Sequence, residues 1–231
     1  MMGARMMKHQ KALLRRRVLT LAMAGMIGAG GLQAAAASAP PQGGITATGP
    51  AILGFRKAYF GMTQQQVRAT IQADFGLPAS AIIASENALQ HTPVLTVHVP
   101  DLMPGGGTAL VNYIFGFQSR RLMEVTILWS GGTDPKITPA LLVQSGENLQ
   151  QYFAHEGFPA GKVTGNIATP AGLLLFHATD EGGNAVLLIL AGKLEKQQKT
   201  NKAVLNPTAL TLAYAADPAH PDVFRIDKGS F

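Results

Sequence analysis

The chain has no cysteine among its 231 residues. That excludes a disulfide framework, a thiolate zinc site, a catalytic thiol and lipid attachment at an N-terminal cysteine, and it leaves stability to a packed core. Tryptophan occurs once, as Trp129, and no acidic residue precedes Ser38. Beyond the N-terminal stretch no apolar run is long enough to span a membrane, which takes about 20 predominantly apolar residues. Motifs that carry chemistry are missing as well: there is no GxxxxGKS/T phosphate loop, no GxSxG or SxxK serine, and no HxH or HExxH pair. These patterns imply no metal and no cofactor, and they name no catalytic residue.

What is present begins with Arg5, Lys8, Lys11, Arg15, Arg16 and Arg17, a basic opening followed at once by the glycine-diluted apolar run Val18–Leu32. That run is too short to cross a bilayer stably and reads as the core of a secretory signal. Ala34–Ala39 then offers the small-x-small pattern that signal peptidase reads. Cleavage is expected after Ala37, because a cut after Ala39 would put the rigid Pro40 first. Residues 1–37 are assigned to a signal peptide, and the product to the periplasm. Arg15-Arg16-Arg17-Val18-Leu19 partly matches a twin-arginine signal. No Ser or Thr precedes the pair and Thr20 stands where lysine is usual, so the general secretory route fits better.

Removing the signal removes the charge. The whole chain carries a formal net charge of +6, from 19 Lys and Arg against 13 Asp and Glu. Without the six basic residues of the signal, 13 of each sign remain. Binding to a phosphate backbone needs clustered positive charge, so nucleic acid is not an expected partner.

Residues 38–51 are small, Pro- and Gly-rich, and read as a flexible leader. The first well-specified element follows it. Thr63 is a good N-cap, Gln66 completes a capping box and Met62 can staple onto Val67, so a helix is expected over Gln64–Phe75. Val67, Ile71 and Phe75 share its inner face, and Gly76 with Pro78 stops it. Val94–Val99, Ala109–Phe117 and Leu122–Trp129 read as an antiparallel meander. The Met103-Pro104-Gly105-Gly106-Gly107 segment is a turn within it, since no helix start follows to make a phosphate cradle.

A similar order recurs. Ser145–Phe153 reads as a second helix capped by Ser145, with Leu149 and Phe153 inward, although Thr138-Pro139 offers an earlier start. Strands are expected at Leu173–Ala178, Ala185–Ala191 and Ala209–Tyr214, the first two joined by a tight hairpin at Asp180-Glu181-Gly182-Gly183-Asn184. The fold class is α+β, helices packed on an antiparallel sheet. The halves divide at residues 52–135 and 136–231, either as tandem repeats or as one continuous sheet with both helices on a shared face.

Gly61-Met62-Thr63-Gln64-Gln65-Gln66-Val67, then Gly76-Leu77-Pro78, then Tyr113-Ile114-Phe115 and the following apolar strand resemble the SmpA/OmlA domain of the outer-membrane assembly lipoprotein BamE. The resemblance covers roughly residues 60–129. It implies a small layer of helices on an antiparallel sheet, the arrangement also of the β-lactamase inhibitor protein with its two tandem copies. This chain departs from the family in having no lipid-bearing cysteine and a longer first helix.

Histidines 91, 98, 155, 177 and 220 are scattered, and His98 and His177 fall in strand runs, where a place on a sheet face explains them better than metal ligation. Three residues are candidates for binding a partner: Trp129, if it stands exposed at the end of its strand, and Arg120 and Arg121 in the turn before it. The ordinary alternatives are a core tryptophan and a solvated arginine pair. Lys193, Lys196, Lys199 and Lys202 make a local positive stretch that reads as a loop, or as a surface for anionic lipid or polysaccharide. Two functions remain in view. One is a non-catalytic periplasmic module contacting an envelope protein or polymer. The other is a small periplasmic enzyme or ligand-binding protein with a pocket between its halves, since a site built from distant residues needs no fixed spacing.

Overall fold

The computed structural model describes residues 49–196, 203–226, 229 and 230. The signal peptide, the cleavage point at Ala37, most of the leader, and Lys199 with Lys202 lie outside the described residues. A short hairpin, β1 (Gly54–Phe55) and β2 (Ala58–Tyr59), precedes helix α1 (Gln64–Phe75). Strands β3 (Ile83–Asn87), β4 (Thr92–Val99), β5 (Ala109–Phe115) and β6 (Leu122–Ser130) follow, then helix α2 (Pro139–His155). The chain ends in β7 (Val163–Thr164), β8 (Ile167–Thr169), β9 (Gly172–Thr179), β10 (Ala185–Lys196) and β11 (Ala203–Ala215). The class is α+β.

Helix α1 begins where its local chemistry says it should. Thr63 accepts a hydrogen bond from the Gln66 amide at 3.3 Å, and Gln66 Oε1 accepts from the Thr63 amide at 2.8 Å. Two of the four amides that a helix start leaves unpaired are so provided for. Gly76 closes the helix in the left-handed conformation, φ 63°. The cap of helix α2 lies seven residues before Ser145: it is Thr138, accepting from the Leu141 amide at 3.2 Å, and Pro139 follows in the first turn. Ser145 lies buried inside the helix instead. Thr138-Pro139 wins because proline fixes φ for the first turn at a position where its missing N–H is not needed, and because the longer helix also buries Leu142.

Strands β3 to β11 form one antiparallel sheet in the order β3-β4-β5-β6-β11-β10-β9-β7, with β8 pairing onto β9. Each half runs outward from its last strand in reverse chain order, and the halves meet last strand to last strand. The seam is the β6–β11 ladder, from Ala209 opposite Ser130 to Ala215 opposite Glu124. Both helices lie on the same side, packed into one core with Leu95, Val97, Val111, Tyr113, Val125 and Ile127. Val67 and Ile71 bury there from α1; Phe153 buries there from α2, stacked on Phe176 of β9 at 5.4 Å.

β10 and β11 run further than the sequence suggested. The stretch read as a lysine-bearing loop carries Lys193 and Lys196 on strand backbone, paired with β11. Gly192 and Pro207, which look like breakers, face each other across the ladder at a register shift. A Cβ on Gly192 would come 2.3 Å from the Asn206 carbonyl oxygen, so only glycine lets the strands stay this close. The pairing of β11 with β6 begins at Ala209 opposite Ser130, and among the described residues no strand lies beside the earlier part of β11 on that side, where a proline without an N–H costs little.

Candidate functional site

The strands alternate, so the residues between those of the core point to the other side of the sheet, where no helix lies among the described residues. One row on that side crosses six strands in register: Thr96, Asn112, Thr126, Ala213, Leu187 and His177. Its first three members are linked, Thr96 Oγ1 donating to Asn112 Oδ1 at 2.8 Å and Asn112 Nδ2 donating to Thr126 Oγ1 at 3.2 Å. The pairing satisfies polar groups that the crowded sheet leaves almost without solvent. In the second half the same side turns apolar, with Leu187, Ile189 and Ala213 clustered and Leu174 and Ala191 against them. Burial holds the His177 imidazole below its ordinary pKa, so it is neutral at neutral pH.

After β11 the chain does not leave the sheet. Ala216 extends the ladder by donating to the Met123 carbonyl at 2.8 Å, and residues 217–226 then cross the helix-free side as a strap. Asp222 ties it down. Its carboxylate accepts from the amides of Gln118 and Ser119, both at 2.9 Å, and its carbonyl accepts from the Phe117 amide at 2.7 Å. Partial burial works to raise the Asp222 pKa, but these hydrogen bonds outweigh it and hold the carboxyl below its usual range. Two residues on, the Phe224 amide donates to the Gln90 carbonyl at 3.0 Å. Its ring stands edge-on to His91 at 4.8 Å and to Phe117 at 5.5 Å.

Between strap and sheet lies a pocket of about 310 Å³, at the seam of the two halves. The size is that of a small-molecule site. Its floor is Leu187, Ala213 and Ala215, its roof Pro218, Pro221 and Val223. Among the described residues Glu124 of β6 is the only acid lining it, with Gln90 and Arg225 as the other polar side chains. Burial among these groups pushes the Glu124 carboxyl up to about 7. Neither a hydrogen bond nor an ion pair reaches that carboxyl among the described residues. Larger hollows exist on the helix side, one of about 540 Å³ between the Gly105-Gly106 turn and α2. Its titratable lining residue, Tyr152, is engaged by Glu156, and in the glycine turn Gly106 donates to the Met103 carbonyl and Gly105 to Asp101, with Thr108 after it donating to Asp134.

The residues singled out from the sequence fall elsewhere. Trp129 is 2% exposed and belongs to the helix-side core, so it is no surface anchor. It sits opposite Leu210, and strand alternation turns it inward with Val125 and Ile127. Arg120 and Arg121 are exposed in the β5–β6 turn; Arg120 lies over the Phe117 ring at 5.9 Å and helps hold Asp222 ionised. Arg120 therefore supports the strap anchor, and neither arginine lines the pocket. The histidines stay apart, His91 beside Glu86 at 3.3 Å and His220 beside Asp217 at 3.1 Å. Sequence reasoning missed Glu124 and the strap. A signal for each was present: a lone acid in the apolar run Leu122–Trp129, and a Pro-rich tail that still carries Val223-Phe224.

No protein-family model, no curated protein and no solved structure matches this chain.

Proposed function

We propose that the chain is a non-catalytic binding protein of the bacterial envelope that holds an apolar small molecule in the pocket at the seam of its two halves. The observation that carries this reading is the strap. A chain end that anchors itself through Asp222 and Phe224 encloses the Glu124 pocket against sheet residues from both halves. The lining supports binding over chemistry: among the described residues it offers one acid and one guanidinium with side chains that are otherwise mostly apolar, and no second acid or imidazole for proton transfer. Export to the periplasm rests on the basic and apolar signal pattern of residues 1–37. A flat, bare sheet face would instead favour contact with an envelope protein or polymer, and here the strap covers part of that face.

Nile red, a neutral apolar dye, tests the reading when added to the mature protein and to Ala215→Phe, whose ring would occupy the pocket floor. The expected result is bright, saturable dye fluorescence that falls at least about tenfold in affinity in a variant whose circular dichroism is unchanged. Absence of saturable binding, or equal binding by the variant, overturns it.

A further inference from the structure

Resting on the pocket reading, we infer that the bound molecule carries a basic nitrogen on its apolar body, and that Glu124 is the group that pairs with it. The geometry is one-sided. Glu124 stands on β6 with Ile114 opposite on β5 and Ala215 opposite on β11, neither of which can neutralise it. Among the described residues the charged side chain that the strap brings to the pocket is Arg225, and the polar one from the β3–β4 turn is Gln90. Arg225 makes no ion pair with Glu124 and contributes nothing to its titration, burial being the sole cause of the shift. The half-buried carboxyl stands beside Leu187, Ala213 and Val223 with solvent as its partner, a place that a ligand cation can take over with a gain as the apolar lining closes on it. An ammonium on an apolar chain supplies both halves of the match, the cation for Glu124 and hydrocarbon for the remaining lining. A fatty acid would meet repulsion from the same group. A neutral alcohol would gain burial with at most one hydrogen bond.

The pairing also sets a pH dependence. Glu124 must be ionised to hold an ammonium, and with its carboxyl at about 7 it becomes largely protonated below that pH. Affinity for the amine is therefore highest above pH 7 and falls as the pH drops, with release of the ligand in acid.

The test uses n-octylamine, octan-1-ol and octanoate as probes, titrated calorimetrically into the mature protein and into Glu124→Gln. At pH 8 octylamine should bind at least about tenfold more tightly than octanol, and octanoate more weakly than either. Glu124→Gln should erase the advantage of the amine and leave octanol within about threefold. Between pH 8 and pH 6 the octylamine affinity should fall about tenfold in the wild type and stay flat in the variant. Octylamine binding no tighter than octanol, or a variant that keeps the preference, overturns the amine assignment while the pocket stands. If none of the three probes binds, the pocket reading falls with it.

Discussion

Glu124 stands directly opposite Ala215 in the ladder that joins β6 to β11. That pairing places the pocket's carboxyl on the first half of the chain and the methyl group beside it on the second. The next residue, Ala216, extends the ladder by bonding to Met123, and the strap that roofs both follows it. The candidate site is thus a product of the seam, and neither half holds it alone.

The first prediction concerns stability against pH. Folding raises the Glu124 carboxyl from 4.5 to about 7, so the folded state keeps its proton where the unfolded state has lost it. Stability from this group is fully present below pH 4.5 and is lost as the pH rises through about 7. Glu124→Gln removes the titration. Urea denaturation should find the variant about 2 kcal/mol more stable than the wild type at pH 8, and nearly equal to it at pH 4. Parallel curves across that range would show that Glu124 is not desolvated by the strap.

The second concerns the anchor. Asp222→Ala leaves the Gln118 and Ser119 amides without their acceptor, so that the strap is held to the β5–β6 turn by the backbone bond from the Phe117 amide to the carbonyl of residue 222. Hydrogen exchange at those two amides and at Phe224 should accelerate by at least about tenfold, with the helix-side core unchanged. The wild-type anchor should also loosen in acid, because a carboxyl held below its usual range is stabilising only while ionised. Unchanged protection in the variant would mean that the aromatic contacts of Phe224 hold the strap without Asp222.

The third concerns the first helix. Thr63→Ala removes the acceptor for the Gln66 amide and should cost about 1 kcal/mol in chemical denaturation. A change too small to measure would assign the helix start to Gln66 alone.

Much of the fold was legible because its signals are local. Thr63, Gln66 and Gly76 specify α1 within fourteen residues of chain, and the alternation of β4, β5 and β6 needs no partner to be seen. Errors arose where two local signals competed or where a distant residue decided. Ser145 and Thr138 both suit a cap, and the first-turn Pro139 together with the burial of Leu142 chooses between them. Gly192 and Pro207 each read as a strand end, yet they face each other and let the hairpin continue. The site was not legible, because alternation says that Glu124 points away from the core but not which strand lies beside it or what crosses above.

Chemical-shift mapping with octan-1-ol tests the central claim most directly, since it reports where an apolar molecule settles without requiring the amine assignment. The pocket predicts saturable amide shifts at Met123, Leu187, Ala213, Ala215 and Val223, residues far apart in sequence that meet only at the seam beneath the strap. Shifts gathered instead around Phe153 and Phe158 on the helix side, or none at saturating probe, would contradict it.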